Sequence, residues 1–186
     1  MNDTSKPKRP INQDRRPRLP MAAGDLVELL EEIEEAGIEV WVDGGWGVDA
    51  LLGEQRREHD DVDLIASLAG MPRLQECLEG HGYELVDGEL PTNVVLLDSE
   101  GRQVDIHPVV FNERGDGIYR MRNGEDWVFP SWGFAGRGRV LDLRVRCLSP
   151  EAQVLCHTGY ELDEDDFRAC TRCKSGSASR PPDECP

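Results

Sequence analysis

Trp41-Val42-Asp43-Gly44-Gly45-Trp46-Gly47-Val48-Asp49, followed by Arg57-Glu58-His59-Asp60-Asp61-Val62-Asp63-Leu64, is the stretch on which the reading of this chain turns. Ile38 to Val42 carries β-branched and aromatic residues and predicts a short strand. Gly44-Gly45 reads as a turn, and Trp46 to Leu52 as a short helix stopped by Gly53. Residues 54–60 are polar and predict a solvent-facing loop. Val62 to Ala66 predicts a second strand, whose alternation puts Asp61 and Asp63 on one face and Val62 and Leu64 on the other. A Gly pair at a helix start presents free backbone N–H groups to a phosphate. Arg57 and His59 stand just before the carboxylates, where a phosphate calls for a cation. Taken singly, the Gly pair is a tight turn, the Asp pair a strand end, Asp49 the polar side of a helix and His59 a surface residue. Together they describe a site for a nucleotide phosphate and Mg²⁺.

The flanking sequence supplies an α/β frame. Asp25 to Ala36 places Leu26, Leu29, Leu30 and Ile33 on one stripe and predicts an amphipathic helix ended by Gly37. A helix is expected over Pro72 to Leu78 and a strand over Tyr83 to Val86. Asn93 to Leu97 and Arg102 to Val110 flank the turn Asp98-Ser99-Glu100-Gly101 and predict a hairpin. Asp105 interrupts an apolar alternation between Val104 and Ile106 in that hairpin, a poor core filler, and the hairpin places it near a sheet edge. A third carboxylate on a neighbouring strand lets two metal ions sit roughly 4 Å apart. Residues 112–139 read as a long irregular excursion with a short strand at Trp127 to Phe129. Its aromatic residues either stack on a ligand or cover the core. Val140 to Cys147 predicts a strand and Glu151 to Thr158 a helix capped by Ser149. The sheet is expected to hold about five strands.

Of 186 residues, 37 are acidic and 21 basic, for a net charge of −16. Residues 1–20 carry a net +4, which leaves −20 on the rest. A body so acidic repels nucleic acid and anionic lipid and attracts a polycationic small molecule. No apolar run approaches the ~20 residues of a membrane span. The Pro-broken basic arm 1–21 matches neither a secretory signal nor a transit helix, so a soluble cytoplasmic protein is expected. Cys77, Cys147 and Cys156 read as buried thiols. Cys170 and Cys173 have the spacing of a zinc half-site or a redox pair, without a second close pair to complete it. Residues 169–186 read as a disordered tail.

Trp41 to Leu64 resembles the nucleotidyltransferase superfamily signature, and more narrowly the aminoglycoside 2''-nucleotidyltransferase and lincosamide nucleotidyltransferase group. The matching residues are Gly44, Gly45, Trp46, Val48, Asp49, Leu52 and Gly53, then Arg57, His59, Asp61, Val62 and Asp63. The likeness extends over about residues 22–168, which are expected to form one nucleotidyltransferase domain with a twisted mixed β-sheet flanked by helices. By this resemblance Asp61, Asp63 and Asp105 bind Mg²⁺, and Asp105 serves as base or orients the acceptor hydroxyl. Gly44, Gly45, Asp49, Arg57 and His59 are expected to bind ATP or another NTP. Asp87, Glu89, Tyr160 and Glu161 are candidate contacts for the acceptor. The implied activity is transfer of AMP to a hydroxyl of an aminoglycoside- or lincosamide-like antibiotic. The implied assembly is a homodimer whose second subunit helps close the cleft. Two alternatives keep the fold: adenylylation of a protein acceptor, as in toxin–antitoxin nucleotidyltransferases, and a non-catalytic nucleotide-binding relative. The sequence departs from the family after Arg168, where it drifts into low-complexity residues.

Overall fold

A computed structural model describes residues 17–157 of the chain. Helix α1 (Ala23–Glu35) buries Leu26, Leu29, Leu30 and Ile33, the stripe read from the sequence. β1 (Val40–Asp43) leads into α2 (Gly44–Leu52), and β2 (Asp61–Ser67) leads into α3 (Met71–Gly80), which has Pro72 in its first turn. β3 (Glu84–Gly88), β4 (Val94–Leu97) and β5 (Gln103–Phe111) complete a mixed sheet of order β1-β2-β5-β4-β3. β2 and β5 run parallel, and the other pairs are antiparallel. β6 (Gly117–Arg120) pairs with the end of β5 and with β7 (Asp126–Phe129), giving seven strands.

The two faces of this sheet are built differently. Val40 and Val42, then Val62, Leu64 and Ala66, then Val104 and Ile106, form one core with α1 and α3. A fully buried Leu there contributes about 1.5–3 kcal/mol of transfer free energy. The opposite face is split along its strands. Trp41, Ile65 and Val109 pack under Phe129, Phe134, Leu148 and Ala152. Further along the same strands that face carries Asp43, Asp61, Asp63 and Asp105 instead. Apolar residues are covered by other apolar residues; carboxylates need polar partners, so this half of the face is packed by polar groups and the glycine start of α2 instead.

Several expectations are corrected. The sheet has seven strands rather than five, and β5 lies at its centre rather than near an edge. The expected strand at Trp127 to Phe129 is β7, but the irregular reading of residues 112–139 missed its partner β6 and a 3-10 turn at Ser131–Ala135. The expected strand over Val140 to Cys147 is instead a separate hairpin, β8 (Arg137–Val140) and β9 (Leu143–Arg146), turning at Leu141 with φ +51°. The Gly pair is the first turn of α2 and not a turn before it. Residues 17–21, read from composition as arm, pack on the body. Met21 is fully buried, and the Pro17 carbonyl lies where a side chain on Gly101 would be. Helix α4 (Pro150–His157) follows Ser149 as expected. Among the described residues no helix is long and apolar enough to cross a membrane.

Candidate active site

The polar half of the sheet aligns three carboxylates in one row. Asp43 on β1 is the register partner of Asp63 on β2, and Asp63 that of Asp105 on β5. Neighbouring strands lie about 4.8 Å apart, so the row is close-set. Asp105 is 5% exposed, and its Oδ1 accepts a hydrogen bond from Asn93 Nδ2 at 3.0 Å. His107, two residues on, brings its ring to the same face. Its Nε2 stands 3.3 Å from Asp63 Oδ1 and 3.9 Å from Asp105 Oδ1. Burial disfavours the charged ring. The hydrogen bond to Asp63 and the charges of Asp105, Asp63 and Asp43 outweigh that and push its pKa up to about 9. A positive ring among three carboxylates offsets part of their mutual repulsion.

Asp61 is on the same face but sits beside Gln103, whose Nε2 donates to Asp61 Oδ2 at 3.2 Å. Asp63, Asp105 and His107 each offer a donor atom, all within 4.8 Å of one another. Two carboxylate oxygens and an imidazole nitrogen in such a space fit a divalent cation.

The start of α2 closes against this row. Gly44 has φ +61°, and a Cβ there would fall 2.2 Å from Asp63 Oδ2. A Cβ on Gly45 would fall 2.4 Å from His59 Nδ1 and 3.1 Å from an Arg57 guanidinium nitrogen. The glycines therefore leave room for the Asp63 carboxylate at Gly44 and for the His59 ring at Gly45, with Arg57 alongside. Asp49 and His59 are brought together in a different way. Both are buried, joined at 2.6 Å between Asp49 Oδ2 and His59 Nε2, and the ring packs at a tilt against Trp46, 4.8 Å between centroids. Asp49 also accepts from the Arg56 N–H at 3.0 Å, and His59 O accepts from Met21 N at 2.8 Å. This pair braces the loop that carries Arg57.

Asp87 connects to the site through side chains. Arg122 pairs with Asp87 at 2.9 Å and donates to Asn93 Oδ1 at 2.6 Å, and Asn93 in turn holds Asp105. Glu89 is exposed two residues away, with its carbonyl accepting from Thr92. Tyr160 and Glu161 lie outside the described residues, as do Cys170, Cys173 and the acidic run after Tyr160. His107, Asp43, Asn93 and Arg122 were not singled out from the sequence. The alternation that joined Asp61 to Asp63 also joins Asp105 to His107, so that one residue was within reach of sequence reasoning. Asn93 and Arg122 meet only across strands.

A family model described as aminoglycoside-2''-adenylyltransferase matches residues 25–172. The chain belongs to the aminoglycoside-2''-adenylyltransferase family. It is a nucleotidyltransferase, as its resemblance implied. A lincosamide resistance protein of Staphylococcus haemolyticus is 34% identical over 151 residues, covering 81% of this chain and 93% of that one. A 2''-aminoglycoside nucleotidyltransferase of Escherichia coli is 43% identical over 137 residues, covering 74% and 72%. The crystal structure of the lincosamide antibiotic adenylyltransferase LnuA, lincomycin-bound, superposes with a TM-score of 0.72 at 32% identity, covering 84% of this chain and 99% of that one. The adenylyltransferase family membership and this superposition agree with the nucleotidyltransferase fold drawn from the sequence.

Proposed function

We propose that this adenylyltransferase-family enzyme uses Mg²⁺ to transfer AMP from ATP to a hydroxyl of a small cationic antibiotic of the aminoglycoside or lincosamide class, releasing pyrophosphate. The observation that carries the reading is the register pairing of Asp63 with Asp105 beneath the glycine start of α2. It gathers carboxylates and free backbone N–H groups at one point. Relatives named for lincosamide resistance and for 2''-aminoglycoside transfer support the acceptor class.

Asp61, Asp63 and Asp105 would hold Mg²⁺, which stabilises negative charge on the phosphate oxygens when bound. Gly44 and Gly45 present their N–H groups to the triphosphate, and Arg57 adds a cation. Asp105 orients the acceptor hydroxyl and takes its proton. The acceptor oxygen bonds to the α-phosphorus as the bond to the bridging oxygen breaks, and pyrophosphate leaves. In-line approach requires the reacting atoms about 3–3.5 Å apart, which the row of carboxylates and the α2 start must jointly hold. The hydrogen bond from Asn93 aims Asp105. Asp87, Glu89, Tyr160 and Glu161 are the proposed acceptor contacts, and an acidic wall suits an amine-bearing acceptor. The test is pyrophosphate release with ATP and Mg²⁺ across aminoglycosides and lincosamides, with mass analysis of each acceptor. A mass gain of one AMP supports the reading. Silence across the panel, with ATP still bound in Mg²⁺, rejects the acceptor class in favour of a protein acceptor.

A further inference from the structure

His107 has no part in the proposed reaction, yet its ring stands within hydrogen-bond reach of Asp63. β-strand alternation carries it to the carboxylate face two residues beyond Asp105. Tyr119 meets the ring edge-on at 5.3 Å between centroids and limits where it can swing. Nε2, the nitrogen facing the carboxylates, is 3.3 Å from Asp63 Oδ1 and 3.9 Å from Asp105 Oδ1. Ligands at right angles around an ion with bonds of about 2.1 Å stand about 3 Å apart, close to these separations. Asp61, by contrast, is turned toward Gln103.

We propose that His107 gives up its Nε2 proton to solvent and becomes a direct nitrogen ligand of the metal ion held by Asp63 and Asp105. This rests on the metal-dependent reading above and adds a ligand of a different chemical type to its carboxylates. An imidazole donor tilts the site toward transition metals, so Mn²⁺ and, more strongly, Co²⁺ gain affinity over Mg²⁺ relative to an all-oxygen site. Asp61 is then left to a second ion or to the nucleotide on the same face.

Pulsed electron paramagnetic resonance on the full chain loaded with one equivalent of Mn²⁺ reads the ligand without turnover. The expected spectrum shows nitrogen coupling that changes when histidine alone is labelled with ¹⁵N. The coupling is expected to vanish in His107→Gln and in Asp63→Asn. Mn²⁺ affinity should fall about tenfold in His107→Gln while the ion stays bound through the carboxylates. Mn²⁺ bound with no histidine coupling in the wild-type protein overturns the ligand role and leaves the carboxylate reading standing. Coupling that persists in His107→Gln assigns another histidine and also overturns it. Mn²⁺ binding indifferent to both Asp63→Asn and Asp105→Asn overturns the metal reading itself. His107→Asn supplies a second variant with the same expected loss of coupling should His107→Gln not fold.

Discussion

A Cβ on Gly44 would meet Asp63 Oδ2 at 2.2 Å, on a backbone whose φ of +61° already disfavours any side chain. Gly44→Ala is therefore expected to cost about 1–2 kcal/mol in stability. Its effect on turnover should be larger, about 100-fold, because the carboxylate that must move is a reacting-site group. Chemical denaturation and steady-state assays on one preparation separate the two. Asp63→Asn and Asp105→Asn should each lower pyrophosphate release by at least about 100-fold with the thermal midpoint little changed or raised. Removing a charge from a row of three relieves repulsion in the metal-free protein. A variant retaining near-normal turnover would remove that residue from the proposed metal site. Asp61→Asn tests whether its neighbour Gln103 holds it aside or only supports it; a loss as large as that of Asp63→Asn would place it among the groups that touch the metal.

The hairpin β4–β5 carries Asp105, and its turn is built on Asp98. That carboxylate accepts from the Glu100 and Arg102 N–H groups, both at 2.9 Å, and from Arg102 Nε at 2.6 Å. Arg102 also pairs with Asp25 of α1 at 2.5 Å, tying the turn to the helix layer. Burial raises the Asp98 pKa, but the bonds from Arg102 and the backbone outweigh it and hold the group below the ordinary carboxylate value. A depressed folded pKa means stability that is fully present above the unfolded value and lost as pH falls through the folded one. Unfolding free energy should therefore fall below about pH 4, and Asp98→Asn should flatten that acid limb. At pH 7 the same substitution should cost about 1–3 kcal/mol. An acid limb of unchanged slope in the variant would show that other groups govern it.

Across the molecule, charge is spread unevenly along the chain. Residues 1–20 hold a net +4 and the remainder −20. Such a field raises the local concentration of a polycationic acceptor and is screened by salt, with a Debye length of about 8 Å at physiological ionic strength. For an aminoglycoside acceptor, kcat/KM should fall several-fold between 50 and 500 mM salt at saturating ATP, about these concentrations being enough to span the screening range. A singly charged lincosamide should show a weaker dependence. Equal salt sensitivity for both would remove the acidic body from acceptor selection. The central place of β5 matters at this scale too: it joins Asp105 on one side to Asp63 and on the other to Asn93, so both halves of the site hang on one strand.

Local pattern alone carried a good part of this protein. The stripe of α1, the short helix over Trp46 to Leu52, the alternation of Asp61 and Asp63 and the turn at Asp98 all follow from interactions within a few residues, which sequence spacing displays directly. The family followed from one such local run. Trp127 to Phe129 of β7 and the residues of β9 read as strand, but β6, β8 and the hairpin pairings were not legible, because short strands such as Gly117–Arg120 and Arg137–Val140 owe their form to the partners they pair with rather than to their own preferences. Neither was the buried Asp49–His59 pair, since burial of a polar pair is decided by what folds over it. The row Asp43–Asp63–Asp105, the neighbouring His107 and the Asp87–Arg122–Asn93 chain depend on strand order and register. Those are set by long-range pairing and by which face the core covers, and only the tertiary structure decides them.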